Sequence, residues 1–148
     1  MSTHVLVAFD ESPQAESALR YALQTFSDAT ITAIHVNDPR EWITDGDEFD
    51  GFYSEVTYER VQEAAKEILD HAEEIATEYD REIETEAVTG KPSTEIIEYA
   101  EAGDADHIVV GSHGRTGLER FLIGSVAERV VRRSPVPVTV MRGRHQRS

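Results

Sequence analysis

Residues 3–36 read THVLVAFDESPQAESALRYALQTFSDATITAIHV, and this stretch decides the fold. Thr3–Phe9 is a short β-branched apolar run that stops at Asp10. Its hydrophobicity is continuous rather than alternating, as in a strand covered on both faces. Ser12-Pro13 supplies a capping residue and then a proline, whose fixed φ and missing N–H suit the first helical position. Ala15, Ala18, Leu19, Ala22, Leu23 and Phe26 follow at spacings of three and four, with Gln14, Glu16, Arg20 and Gln24 between them. That spacing predicts an amphipathic helix of about four turns. Thr30–Val36 reads as a second strand.

The alternation continues along the chain. Asn37–Tyr53 contains Pro39, Gly46, Gly51 and five acidic residues between positions 41 and 50, and is expected to be a long loop. Ser54–Tyr79 is expected to be a helix, with Val61, Ala65, Ile68, Leu69, Ala72, Ile75 and Ala76 on one face. Glu82–Val88 reads as a strand, Gly90–Pro92 as a turn, and Ser93–Ala102 as a helix stopped by Gly103. His107–Val110 is the most apolar strand. The Gly111–Gly117 loop follows, then Leu118–Arg133, helical with a break at Gly124-Ser125, and a last strand at Val136–Met141. Strict alternation predicts one α/β domain over residues 1–142, an open five-stranded parallel sheet with helices on both faces, and a polar tail at 143–148. The expected strand order is 3-2-1-4-5. Strands one and four are then neighbours at the point where the order reverses, which is where such sheets bind ligands.

The chain has 148 residues, 29 Asp plus Glu, 14 Lys plus Arg and no cysteine, for a net charge of -15. Disulfides, thiolate metal sites and thiol nucleophiles are excluded. No run of about 18 apolar residues exists to span a membrane. The start lacks the basic and apolar regions of a signal peptide, so the cytoplasm is the expected location. The negative field disfavours nucleic acid and membrane surfaces as partners. Only two of the basic residues are lysines. Such an acid-rich, lysine-poor composition resembles proteins of salt-loving microbes, and a halophilic archaeon is the expected source. Charge is also uneven. Residues 1–114 carry 6 basic and 27 acidic groups, net -21, whereas 115–148 carry 8 basic and 2 acidic, net +6.

The main chemical candidate is Gly111-Ser112-His113-Gly114, then nine residues, then Gly124-Ser125. Glycines let backbone N–H groups approach phosphate oxygens closely. Ser125 opens a helical stretch, where it either caps the helix or helps to bind an anion at its N-terminus. Arg115 adds positive charge to the same loop. Glycines that merely turn the chain are the bland alternative; three of them and a serine around one strand–helix crossing favour anion binding.

Gly-x-x-Gly-(nine residues)-Gly-Ser resembles the nucleotide-binding signature of the universal stress protein family. The resemblance covers the whole chain, through Val5–Asp10, Ala33–Val36, Asp106–Gly114 and Gly124–Met141. It implies a Rossmann-like fold and membership of the ATP-binding class. Ala8 and Asp10 would then sit beside the nucleoside, with Asp10 in polar contact. Ala8 stands where some members have proline. Val36 would offer backbone groups to the adenine edge, and Val110 and Gly111 would lie near the ribose. Ser112, His113, Gly114, Arg115, Thr116 and Gly117 would pass the phosphates, and Gly124, Ser125, Val126 and Ala127 would close around them. The ligand is expected to be ATP, with AMP or ADP using most of the same contacts. Magnesium or manganese would be held through the phosphates rather than by protein groups.

Other motifs fail. Thr89–Ser93 contains a Gly-Lys pair, but a P-loop needs glycine where Thr85 stands, and proline follows the lysine. No Gly-x-Ser-x-Gly elbow is present. Ser112, His113 and Asp10 form a triad only on paper, because adjacent loop residues rarely face each other. The six histidines show no paired ligand spacing; His35 and His107 are expected at packed or hydrogen-bonded strand positions. Arg129, Arg132 and Arg133 read as a solvated helix face.

In the last strand, Val136, Val138 and Val140 form an apolar face, and Pro137 points to a sheet edge. These valines either pack on a helix of their own subunit or, as the resemblance implies, belong to a strand that pairs with its twin in a homodimer. Three functions stay open: a nucleotide-dependent switch acting on an unidentified regulatory partner, a slow ATPase or self-phosphorylating enzyme, and a structural, chaperone-like dimer. No general base is evident, which ranks the enzyme lower.

Overall fold

The computed structural model describes residues 3–39, 51–112 and 123–142, leaving aside the side chains of 51–57. The elements in chain order are β1 (His4–Ala8), α1 (Pro13–Thr25), β2 (Thr30–Asn37), α2 (Gly51–Glu78), β3 (Glu84–Thr89), α3 (Pro92–Ala102), β4 (His107–Gly111), α4 (Ser125–Arg133) and β5 (Val138–Met141). All neighbouring strands run parallel, in the order β3-β2-β1-β4-β5. The expected α/β architecture and strand order are therefore observed. Among the described residues no helix is long and apolar enough to cross a membrane.

Strand side chains alternate between two cores, because successive residues point to opposite faces. Val5, Val7, Ile31, Ala33 and Val109 meet Ala18, Leu19 and Ala22 of α1 and Ala72, Ile75 and Ala76 of α2. Leu6, Ile34, Ile108 and Val110 meet Ile96 and Ala100 of α3 and Ala127 and Val130 of α4. Both faces of the central strands are dry, so their sequences need no polar alternation. Buried Thr32 is an exception, and its hydroxyl is paired with His4 and Glu84.

The helix ends sharpen the sequence reading. Ser12 caps α1, its Oγ accepting from the Ala15 N–H at 3.1 Å, with Pro13 in the first turn. Helix α3 does not use Gly103 for a left-handed turn: Gly103 sits at φ -95°, and Asp104 takes the positive φ of 60°. Asp80 does the same after α2, at φ 58°. In each case the following N–H returns to the helix, Ala105 to the Ala100 carbonyl and Arg81 to the Ala76 carbonyl, both at 3.0 Å. Aspartate tolerates this conformation because its short polar side chain can bond locally.

Several boundaries differ from expectation, among them the start of β3 at Glu84 rather than Glu82. Gly51–Tyr53, read as loop, belong to α2. Ser125 is the first helical residue of α4 rather than its cap; Gly124 is the cap, at φ -64° and ψ 159°, a conformation open to any residue. The last strand begins at Val138, so Pro137 precedes it and leaves its carbonyl to accept from the Ile108 N–H. The remaining expected loop at 40–50, the stretch 118–122 and the tail at 143–148 lie outside the described residues.

Candidate functional site

The carboxyl ends of β1, β2 and β4 open into one cleft of about 670 Å³, which α4 faces with its first turn. The volume falls within the range of small-molecule sites, about 300–1,000 Å³. The cleft lies where the sheet order reverses, because β1 connects outward to β2 on one side while β4 lies on the other.

Each wall has a local cause. At the end of β1, the Asp10 carboxylate accepts from the Ser12 N–H at 2.8 Å and the Ser12 hydroxyl at 2.6 Å. Ser12 therefore caps α1 and fixes Asp10 at once. On β2, His35 donates from Nδ1 to the Phe9 carbonyl at 2.9 Å, since a carbonyl can only accept. This bond ties the ends of β1 and β2 together. On the other side, Gly124 donates its N–H to the Ser112 carbonyl at 2.7 Å, and Ser112 donates to the Met141 carbonyl at 2.7 Å. The two halves of the glycine signature, separated by nine residues of chain, thus meet through a backbone bond beside the cleft. Among the described residues no side chain caps the α4 N-terminus, and Gly124–Ala127 line the cleft. The first N–H groups of a helix have no partner within it, and the helix dipole adds partial positive charge there.

Gly111 has a reason for being glycine that the sequence reading missed. A Cβ there would lie 2.7 Å from Gln14 Cβ and 3.0 Å from the Gln14 carbonyl carbon. Its role is close packing of β4 against the start of α1.

Ala8, Asp10, Val36, Val110, Gly111, Ser112, Gly124, Ser125, Val126 and Ala127 all border the cleft. His113, Gly114, Arg115, Thr116 and Gly117 lie outside the described residues. The cleft also takes in Asn37, the last residue of β2, Asp38 beyond it, Val61, Ala64 and Ile68 of α2, and Pro92 and Ile96 of α3, none of which the sequence points to as ligand-binding. Asn37 and Asp38 were within reach of sequence reasoning, because they stand at a strand end on the ligand side of a parallel sheet. The helix residues were not, since only packing brings those turns over the strands. Among the described residues, no group of three or more His, Asp or Glu is placed to hold a metal ion. His107, bonded through Nε2 to the Thr139 hydroxyl at 2.8 Å, lies elsewhere on the sheet, and burial lowers its pKa.

A family model described as the universal stress protein family matches residues 1–142. The chain belongs to the universal stress protein family. A universal stress protein of Methanocaldococcus jannaschii is 36% identical over 140 residues, covering 93% of this chain and 81% of that one. The structure of universal stress protein UspA from Lactobacillus plantarum superposes with a TM-score of 0.78 at 27% identity, covering 95% of this chain and 97% of that one. A universal stress protein crystallised in complex with cAMP superposes with a TM-score of 0.69 at 25% identity, covering 96% and 98%. This universal stress protein therefore shares its whole architecture with relatives, at least one of which holds a nucleotide.

Proposed function

We propose that this universal stress protein binds ATP in the switch-point cleft and acts as a nucleotide-dependent regulatory protein of the stress response. The observation that carries the reading is the junction of Ser112 with Gly124, which sets the α4 N-terminus, without a side-chain cap among the described residues, in the cleft that Asp10 also lines. Backbone N–H groups and a helix dipole suit phosphate oxygens. Asp10, fixed by Ser12, suits a polar group of the nucleoside. The likeness to the cAMP complex supports the same assignment. Magnesium or manganese enters on the phosphate oxygens with water filling its shell. In this reading His113–Gly117 complete the phosphate side, ADP and AMP use the nucleoside contacts, and nucleotide binding changes the surface offered to a regulatory protein.

The reading extends to a homodimer in the cytoplasm of a salt-adapted archaeon. Strand β5 is at the sheet edge, where its outer backbone groups are available to a twin strand. Val136, Val138 and Val140 also pack against the core of their own subunit, so pairing would add to that packing rather than replace it.

The test is native mass spectrometry of freshly purified protein, followed by calorimetric titration of the stripped protein with ATP and magnesium. A released adenine nucleotide and a saturable heat are expected. No heat and no melting shift at millimolar ATP would reject the proposal.

A further inference from the structure

Two buried side-chain polar atoms find no hydrogen-bond partner among the described residues: Oε1 of Gln14 and Nδ2 of Asn37. Such atoms are uncommon, because a buried donor or acceptor has given up water and gained nothing in return. Gln14 packs under Gly111 and does not border the cleft. Asn37 does border it, and is only 7% exposed. Its backbone is held on the sheet side. The Asn37 carbonyl accepts from the Gly90 N–H at 2.9 Å, and the residue pairs with Thr89 in the β2–β3 ladder. A rigid strand end, not a loop, therefore presents this amide.

We infer that Asn37 is a ligand-specificity residue of the cleft, its carboxamide N–H held for a hydrogen-bond acceptor on the base of the bound nucleotide. The inference rests on the nucleotide reading above. Position decides which part of the ligand it meets. Asp38 follows Asn37 directly and is buried, and Asp10 and Glu11 line the same cleft. These carboxylates repel phosphate, whereas the α4 N-terminus attracts it. Helices α2 and α3, which pack on β2, contribute Val61, Ile68 and Ile96 to the lining, an apolar surround that suits a planar base. Nδ2 only donates, so the group it meets accepts, as a purine ring nitrogen does. A buried donor that is satisfied only by the correct base discriminates strongly against ligands without the acceptor.

The experiment compares the intact wild-type chain with Asn37→Leu, which keeps the branching and the number of side-chain heavy atoms and removes the amide. Titration with ATP is expected to show affinity about tenfold weaker in Asn37→Leu. Melting of the ligand-free variant is expected at or above the wild-type temperature, because an unpaired polar group has been removed. Unchanged ATP affinity, or a lower melting temperature that accounts for the loss, overturns the assignment. A second measurement needs no variant. In labelled wild-type protein, the assigned Asn37 side-chain amide resonances should shift with ATP and stay in place with tripolyphosphate, which has no base. Resonances that ignore ATP, or that move equally with tripolyphosphate, overturn it too. Wild-type protein that binds no ATP rejects the nucleotide reading itself, whereas wild-type binding with an indifferent Asn37 rejects this inference alone.

Discussion

Ser12 shows how much one side chain can settle. Its hydroxyl caps α1 and donates to Asp10, and its N–H donates to the same carboxylate. Ser12→Ala should cost about 1 kcal/mol of stability through the lost cap. It should also weaken ATP binding, because Asp10 loses one of the bonds that fix it; denaturant unfolding and calorimetry read the two effects separately. Gly111 makes the complementary case. An added methyl meets Gln14 backbone at 3.0 Å, which only a shift of α1 against β4 can relieve. Gly111→Ala should lower stability by about 2 kcal/mol, visible as a lower denaturation midpoint with an unchanged slope. Ser12-Pro13 was legible as a cap in the sequence, since capping is a local interaction. The steric demand on Gly111 was not, since Gln14 lies 97 positions away in the chain and is brought there by the fold.

At the level of elements, helix α1 ends on a residue from beyond α2. The Arg81 guanidinium donates to the carbonyls of Leu23, at 2.9 Å, Phe26, at 3.3 Å, and Ala29, at 2.9 Å. It thereby satisfies the helix C-terminus and the turn into β2 together. Lysine carries the charge but not the planar fork that reaches all three. Arg81→Lys should therefore lower stability by roughly 1–2 kcal/mol, and thermal melting checks it. A second link between α1 and α2 depends on pH. The Glu16 carboxylate, 2.8 Å from His71 Nε2, raises the His71 pKa, with Glu74 adding to it and burial opposing. A raised pKa means that the folded state binds the proton more tightly, so the contribution is full below about pH 6.5 and is lost as pH rises through the folded value. His71→Gln should therefore be more damaging at pH 6 than at pH 8, as paired melting curves will show. Equal losses at both pH values would reject the linkage.

Over the whole molecule, the charge of -15 leaves a strong self-repulsion that salt screens. The Debye length falls from about 10 Å at 0.1 M salt to about 3 Å at 1 M. Melting temperature and ATP affinity should both rise as potassium chloride is raised over that range, because unscreened carboxylates push against the fold and against the nucleotide. A melting temperature and an affinity that ignore salt would reject an adaptation to high salt. The local picture differs from the average: the glycine signature runs into the basic segment after residue 114, and the acid excess belongs to residues 1–114.

The sequence by itself determined the alternation of strands and helices, and with it a parallel sheet clothed on both faces. It did so because apolar periodicity and capping are read within a few residues. It also carried the glycine signature that marks the family. Tertiary structure decided what distance along the chain hides. It joined Ser112 to Gly124, gave Gly111 its steric reason, and assigned the left-handed turns to Asp80 and Asp104. It brought Asn37 to the cleft with a buried amide nitrogen that has no partner among the described residues. Hydrogen-bond satisfaction depends on every group that packs around an atom, and that set exists only once the chain has folded.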